Sequence, residues 1–70
     1  MSVGAWLSKL ALAWDDLSVG KRKKLARDSG LDKDAREKVK RLWPRIPHTM
    51  RVRMAEYLNS HPEYLEELTS

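Results

Sequence analysis

The chain has 70 residues, with 14 Lys and Arg against 10 Asp and Glu, a formal net charge of +4 and no cysteine. This length builds one domain at most, 1–70, with a small core in which each large apolar residue counts. Disulfides and thiolate metal sites are excluded, and the lack of cysteine is compatible with a reducing compartment.

The apolar stretch from Val3 to Trp14 predicts the first helix, running to about Asp16. Val3, Leu7, Leu10 and Trp14 follow helical spacing, as do Trp6, Leu10, Ala13 and Leu17. A helix apolar over most of its circumference belongs at the centre of a core. Ser8 and Lys9 interrupt the stretch, which is too short and too polar to span a bilayer. It also lacks the basic n-region of a secretory signal, so the expected location is cytoplasmic. Ser18 is placed to cap a second helix reaching about Asp28, with Leu25 and Ala26 inward and Val19 packing from its start. Ser29-Gly30-Leu31 predicts its end: Gly30 takes the left-handed position and Leu31 folds back onto Ala26, as in a Schellman motif.

Asp32 or Asp34 caps a third helix, the latter with Glu37 in a capping-box-like spacing. Its expected inward face is Ala35, Val39, Leu42 and Trp43, and Pro44 ends it. A fourth helix starts at Pro47 or Thr49 and runs to Asn59, with Met50, Met54, Tyr57 and Leu58 as its apolar stripe. Ser60, Pro62 and Glu63 read as the start of a last helix that carries Tyr64, Leu65 and Leu68. No stretch alternates with period two. The expected fold is all-α, a compact bundle of four to five short helices in which Trp6, Trp14 and Trp43 supply much of the core, since a buried aromatic removes roughly 150–250 Å² from water.

Charge is unevenly spread. Ser18 to Arg45 holds eleven Lys and Arg against four acids, a net +7 in a chain of +4. Such one-sidedness points to a polyanionic or acidic partner. Within it, Arg22 to Arg41 resembles the helix–turn–helix family of bacterial and phage repressors. Ala26 stands where the two helices cross, Gly30 at the turn four residues later, and Leu25, Leu31 and Val39 at packed apolar positions; "LARDSGL" is the best-matching fragment. The sequence departs from the family at Arg36 and Ser29, where apolar residues are usual. The resemblance implies a helix–turn–helix-like unit whose second helix, Asp32–Leu42, docks on duplex DNA, with a homodimer if the site is palindromic.

The residues expected to bind nucleic acid are Lys21, Arg22, Lys23, Lys24 and Arg27 as phosphate contacts, with Lys33, Arg36 and Lys40 on the outer side of the third helix. The same charges would also suit a solvated helix with Asp34–Lys38 and Glu37–Arg41 pairs. Arg51 and Arg53 fall on different faces of the fourth helix and read as solvated.

No enzyme is expected. Nucleophile-elbow, phosphate-loop and zinc-protease patterns are missing, and His48 and His61 lie thirteen positions apart with no second ligand at helical spacing. No metal, cofactor or small-molecule substrate is implied. The leading expectation is a DNA-binding transcriptional regulator or a phage or plasmid accessory factor. The alternative is a protein-interaction module that meets an acidic protein through its basic face, or a groove through the Trp-bearing first helix. Peripheral membrane binding by the first helix ranks below both.

Overall fold

Two serines begin the first two helices in the same way. In the computed structural model, which describes residues 1–70, Ser2 Oγ accepts the Ala5 N–H at 3.1 Å and starts α1, Val3–Ala13. Ser18 Oγ accepts the Lys21 N–H at 3.2 Å and starts α2, Val19–Asp28. Each side-chain oxygen satisfies a donor that the first helical turn leaves free. Between the helices, α1 tightens into a 3₁₀ turn at Trp14–Asp16. Val19, expected to pack, is 39% exposed, because the capped turn carries it outward.

The end of α2 is the Schellman arrangement read from the sequence. Leu31 N–H reaches the Ala26 carbonyl at 3.1 Å and Gly30 N–H the Arg27 carbonyl at 3.0 Å, with Gly30 at φ +81°. Only glycine adopts that φ without strain on a Cβ. Asp32 then caps α3, its Oδ1 accepting the Ala35 N–H at 2.8 Å.

Here the chain departs from expectation. α3 spans only Lys33–Glu37 and closes in a 3₁₀ turn, Lys38–Lys40, well before Pro44. Two side chains from earlier in the chain account for the stop. The Arg22 guanidinium donates to the Val39 carbonyl at 3.1 Å, and the Trp14 indole N–H donates to the Arg41 carbonyl at 2.9 Å. In a continuing helix the Val39 carbonyl would accept from Trp43, whose N–H is directed at Asp15 Oδ1 instead, 3.5 Å away. Val39 still enters the core, but Leu42 is 58% exposed.

A second 3₁₀ turn, Trp43–Arg45, leads into α4, His48–Ser60. Arg51 secures that connection: its Nε donates to the Ile46 carbonyl at 2.9 Å, its Nη2 to the Pro44 carbonyl at 3.1 Å, and it lies over the Trp43 ring. Arg51 is therefore a structural residue, not a solvated one. Ser60, expected to cap the last helix, is the final residue of α4. The turn is made by His61, whose N–H bonds the Tyr57 and Leu58 carbonyls and whose ring stacks on Tyr57. α5, Tyr64–Thr69, follows Glu63.

The result is an all-α bundle of five helices with no strand. α1 and α4 make the most extensive pairing, and α2 closes over the α3 segment. The core joins Trp6, Leu10 and Trp14 of the first segment to Leu25, Val39, Ile46, Met54 and Leu58, with Leu65 and Leu68 of α5 sealing one end. Trp43 is half-buried against Trp14, ring centroids 5.5 Å apart. No helix is long and apolar enough to cross a membrane.

α5 is tied to α2 by one polar contact. The Tyr64 hydroxyl donates to Asp28 Oδ2 at 2.6 Å. That bond, helped by Arg27 and opposed by burial, holds the Asp28 carboxyl below its ordinary 3.8. Burial, followed by the same bond, pushes the Tyr64 phenol up. A depressed folded-state carboxylate contributes stability in full above the unfolded value and loses it as pH falls through the folded one. Tyr64→Phe should therefore cost about 1–1.5 kcal/mol at neutral pH, as expected for a partly exposed hydrogen bond to a charged acceptor. The difference from wild type should shrink as pH drops below 3.8. Urea melts of both proteins at neutral pH and at pH near 3 check it; a pH-independent difference would rule out the link to Asp28.

Candidate nucleic-acid interface

Helical spacing sorts the basic run of α2 into two sides. Arg22, Leu25, Ala26 and Ser29 turn inward and are buried. Gly20, Lys23, Lys24 and Arg27, spaced i, i+3, i+4, i+7, lie on the other side. The Gly30 turn swings α3 alongside, bringing Lys33, Arg36 and Glu37 to face them. These seven residues line an open hollow of about 380 Å³ with no hydrophobic residue in its wall. Five cations and one carboxylate therefore share one small concave surface.

Few of those charges are neutralised within the protein. The structure has two ion pairs, both 3.5 Å long: Arg27 with Asp28, and Lys40 with Glu37. The second draws the one acid of the hollow toward a lysine outside its wall. The i,i+4 pairs Asp34–Lys38 and Glu37–Arg41 do not form, the second because the chain leaves the helix and Arg41 is extended. Arg36 is half-buried, and its Nε donates to the Leu31 carbonyl at 3.0 Å. That bond secures the turn and leaves the Nη groups without a protein acceptor. The charge anticipated at the helix junction is thus absorbed by a backbone carbonyl, while Ala35 takes the place against the core.

Of the eight residues expected to bind nucleic acid, Lys23, Lys24, Arg27, Lys33 and Arg36 come together. Lys40 stands beside them through Glu37. Lys21 is separated and lines a different hollow with Asp16, Ser18 and Thr69. Arg22 is withdrawn altogether. It is 6% exposed, donates its Nε to the Trp14 carbonyl at 2.9 Å and its Nη1 to that of Val39, and lies over the Trp14 ring. A guanidinium so engaged cannot reach an external phosphate. Glu37, expected on the outer side of the third helix with Lys33 and Arg36, belongs to the wall, as does Gly20, which sequence reasoning did not include. The i, i+3, i+4, i+7 spacing around Gly20 was the available signal.

No family model, curated protein or solved structure matches the chain.

The function of the α2–α3 surface therefore rests on its own chemistry. The residues behind the helix–turn–helix resemblance do pack together: Ala26 and Val39 are buried, and Leu31 lies against the core. The second helix has only five residues, about 7.5 Å at 1.5 Å per residue. With the 3₁₀ turn Lys38–Lys40 that continues it, the segment is shorter than the Asp32–Leu42 helix expected to dock on DNA. The Trp-bearing side of α1 is equally unavailable to a partner, since Trp6 and Trp14 are 2% and 0% exposed. No group of three or more His, Asp or Glu side chains is arranged to hold a metal ion.

Proposed function

We propose that the protein is a small DNA-binding protein, a regulatory or accessory factor, that grips the phosphate backbone of a duplex with its α2–α3 surface. The observation that carries this reading is the hollow whose wall holds five cations, one acid and no apolar residue. Protein–protein hot spots centre on desolvated aromatic or aliphatic anchors, and this wall offers none. Phosphates ask for clustered Lys and Arg in water-accessible positions, which is what it supplies. A duplex is favoured over a single strand because no aromatic ring belongs to the wall of the basic hollow. Trp43 contacts Trp14 and Arg51, and Tyr57 packs with His61 and Tyr64, so none of these rings is placed among the cations to stack on unpaired bases.

Binding of a labelled duplex measured across a salt series tests the proposal. If Lys23, Lys24, Arg27, Lys33 and Arg36 each neutralise one phosphate, log K falls against log salt with a slope of about −4.5, and random and selected duplexes differ little. No binding at low salt, together with stoichiometric capture of an acidic protein, would transfer the surface to a protein partner.

A further inference from the structure

The sequence Ser-Val-Gly opens both α1 and α2, and in each the glycine occupies the second helical position. The fold requires neither glycine. Neither has a left-handed φ, and an added Cβ would meet only the capping serine Oγ, at 3.8 Å for Gly4 and 3.9 Å for Gly20. Both sit in the first turn, where either position has room for a side chain. The two positions differ in what surrounds them. Gly4 lines no hollow, whereas Gly20 forms part of the wall beside Lys23, Lys24, Arg27, Lys33 and Arg36. A larger side chain at Gly20 would add bulk to that wall, and an added Cβ meets no charged side chain of the wall within 4 Å.

We infer that Gly20 keeps open a seat for one phosphate group between α2 and α3, so that a duplex backbone is held at a fixed point instead of lying loosely along a basic face. This rests on the DNA-binding reading above and adds its geometry. The hollow, about 380 Å³ and open to solvent, has room for a phosphate that keeps part of its hydration. The cations come from two separate elements, so a phosphate between them is approached from both sides, and it relieves the mutual repulsion of charges that have few partners in the protein. Glu37 would oppose an anion, but its carboxylate is paired with Lys40 at 3.5 Å. A backbone seat carries no base information, so the contact is blind to sequence.

Gly20→Leu tests the seat because it fills space without removing charge, and Gly4→Leu is its control at the matching position of α1. Both variants are expected to melt at or above the wild-type temperature. Gly20→Leu should weaken binding of a labelled random duplex by about tenfold or more, with the salt slope unchanged, while Gly4→Leu binds as wild type. Lys24→Ala, by contrast, should lower the magnitude of the slope by about 0.9. In wild-type protein, inorganic phosphate should move the Gly20 amide resonance saturably, and duplex should displace it. Wild-type affinity in Gly20→Leu, or no phosphate-induced shift at Gly20 in protein that binds duplex, would overturn the seat and leave the DNA reading standing. A phosphate shift without any duplex binding would overturn the DNA reading and keep the seat for a free phosphate. Failure of the wild-type protein to bind either overturns both.

Discussion

Arg22→Leu should lower the unfolding free energy by about 2–3 kcal/mol, the range for orphaning a buried hydrogen-bonding group that a charged donor had served. The residue is numbered among the basic residues, yet it behaves as part of the core. Its Nε and Nη1 hold the carbonyls of Trp14 and Val39, and its guanidinium covers the Trp14 ring. The Trp14 carbonyl also accepts from the Leu17 N–H and keeps a partner without Arg22. Val39 is fully buried and its carbonyl depends on the arginine. A domain of this length has roughly 4–10 kcal/mol of stability, so the loss is a large share of it. At 4–8 °C per kcal/mol, the melting temperature should drop by roughly 10–20 °C. Arg22→Lys should recover little, since a lysine has no planar fork with which to serve two carbonyls. Thermal melts followed by circular dichroism check both variants, and a shift of only a few degrees would contradict the structural role.

Lys24→Glu combined with Lys33→Glu should do the opposite: leave stability almost untouched and abolish the proposed duplex binding. Both side chains are exposed and lack ion-pair partners, so the melting curve should stay within the ~0.5 kcal/mol typical of surface changes. Loss of two phosphate contacts at 0.1 M salt costs about 60-fold in duplex affinity, and two added carboxylates in the same hollow raise this beyond about a hundredfold. The alanine pair separates the two contributions, with a slope reduced in magnitude by about 1.8. Near-native binding by the charge-reversed protein would move the interface away from the α2–α3 hollow. Together the two experiments distinguish a basic residue that builds the fold from those that face outward.

Much of this organisation is legible in the residues. Ser18 as a cap, Gly30 as a left-handed turn and Leu31 folding onto Ala26 are local events, set within a few positions by backbone sterics and hydrogen bonding. The apolar spacing of Leu10, Trp14, Met50, Met54 and Leu58 likewise marks core faces that the structure uses. The end of α3 could not be read this way. It is decided by Arg22 and Trp14, seventeen and twenty-seven positions from the carbonyls they serve. The last helix does not start at Ser60 for a related reason: the Tyr57–His61 stack and the His61 backbone bonds carry α4 through Ser60 before a cap can form there.

By itself, the sequence determined an all-α chain with a basic middle, a capped second helix and a glycine turn after it, because caps, turns and amphipathic faces are short-range properties. Only the tertiary structure decided which of the basic residues act outward. Burial drew Arg22 into the core, the rotation of α2 sent Lys21 to another side, and the turn at Gly30 brought Lys33 and Arg36 across from Lys23, Lys24 and Arg27. A charge count cannot separate these cases, since a guanidinium among carbonyls and one in water have the same formal charge. Packing alone sets them apart.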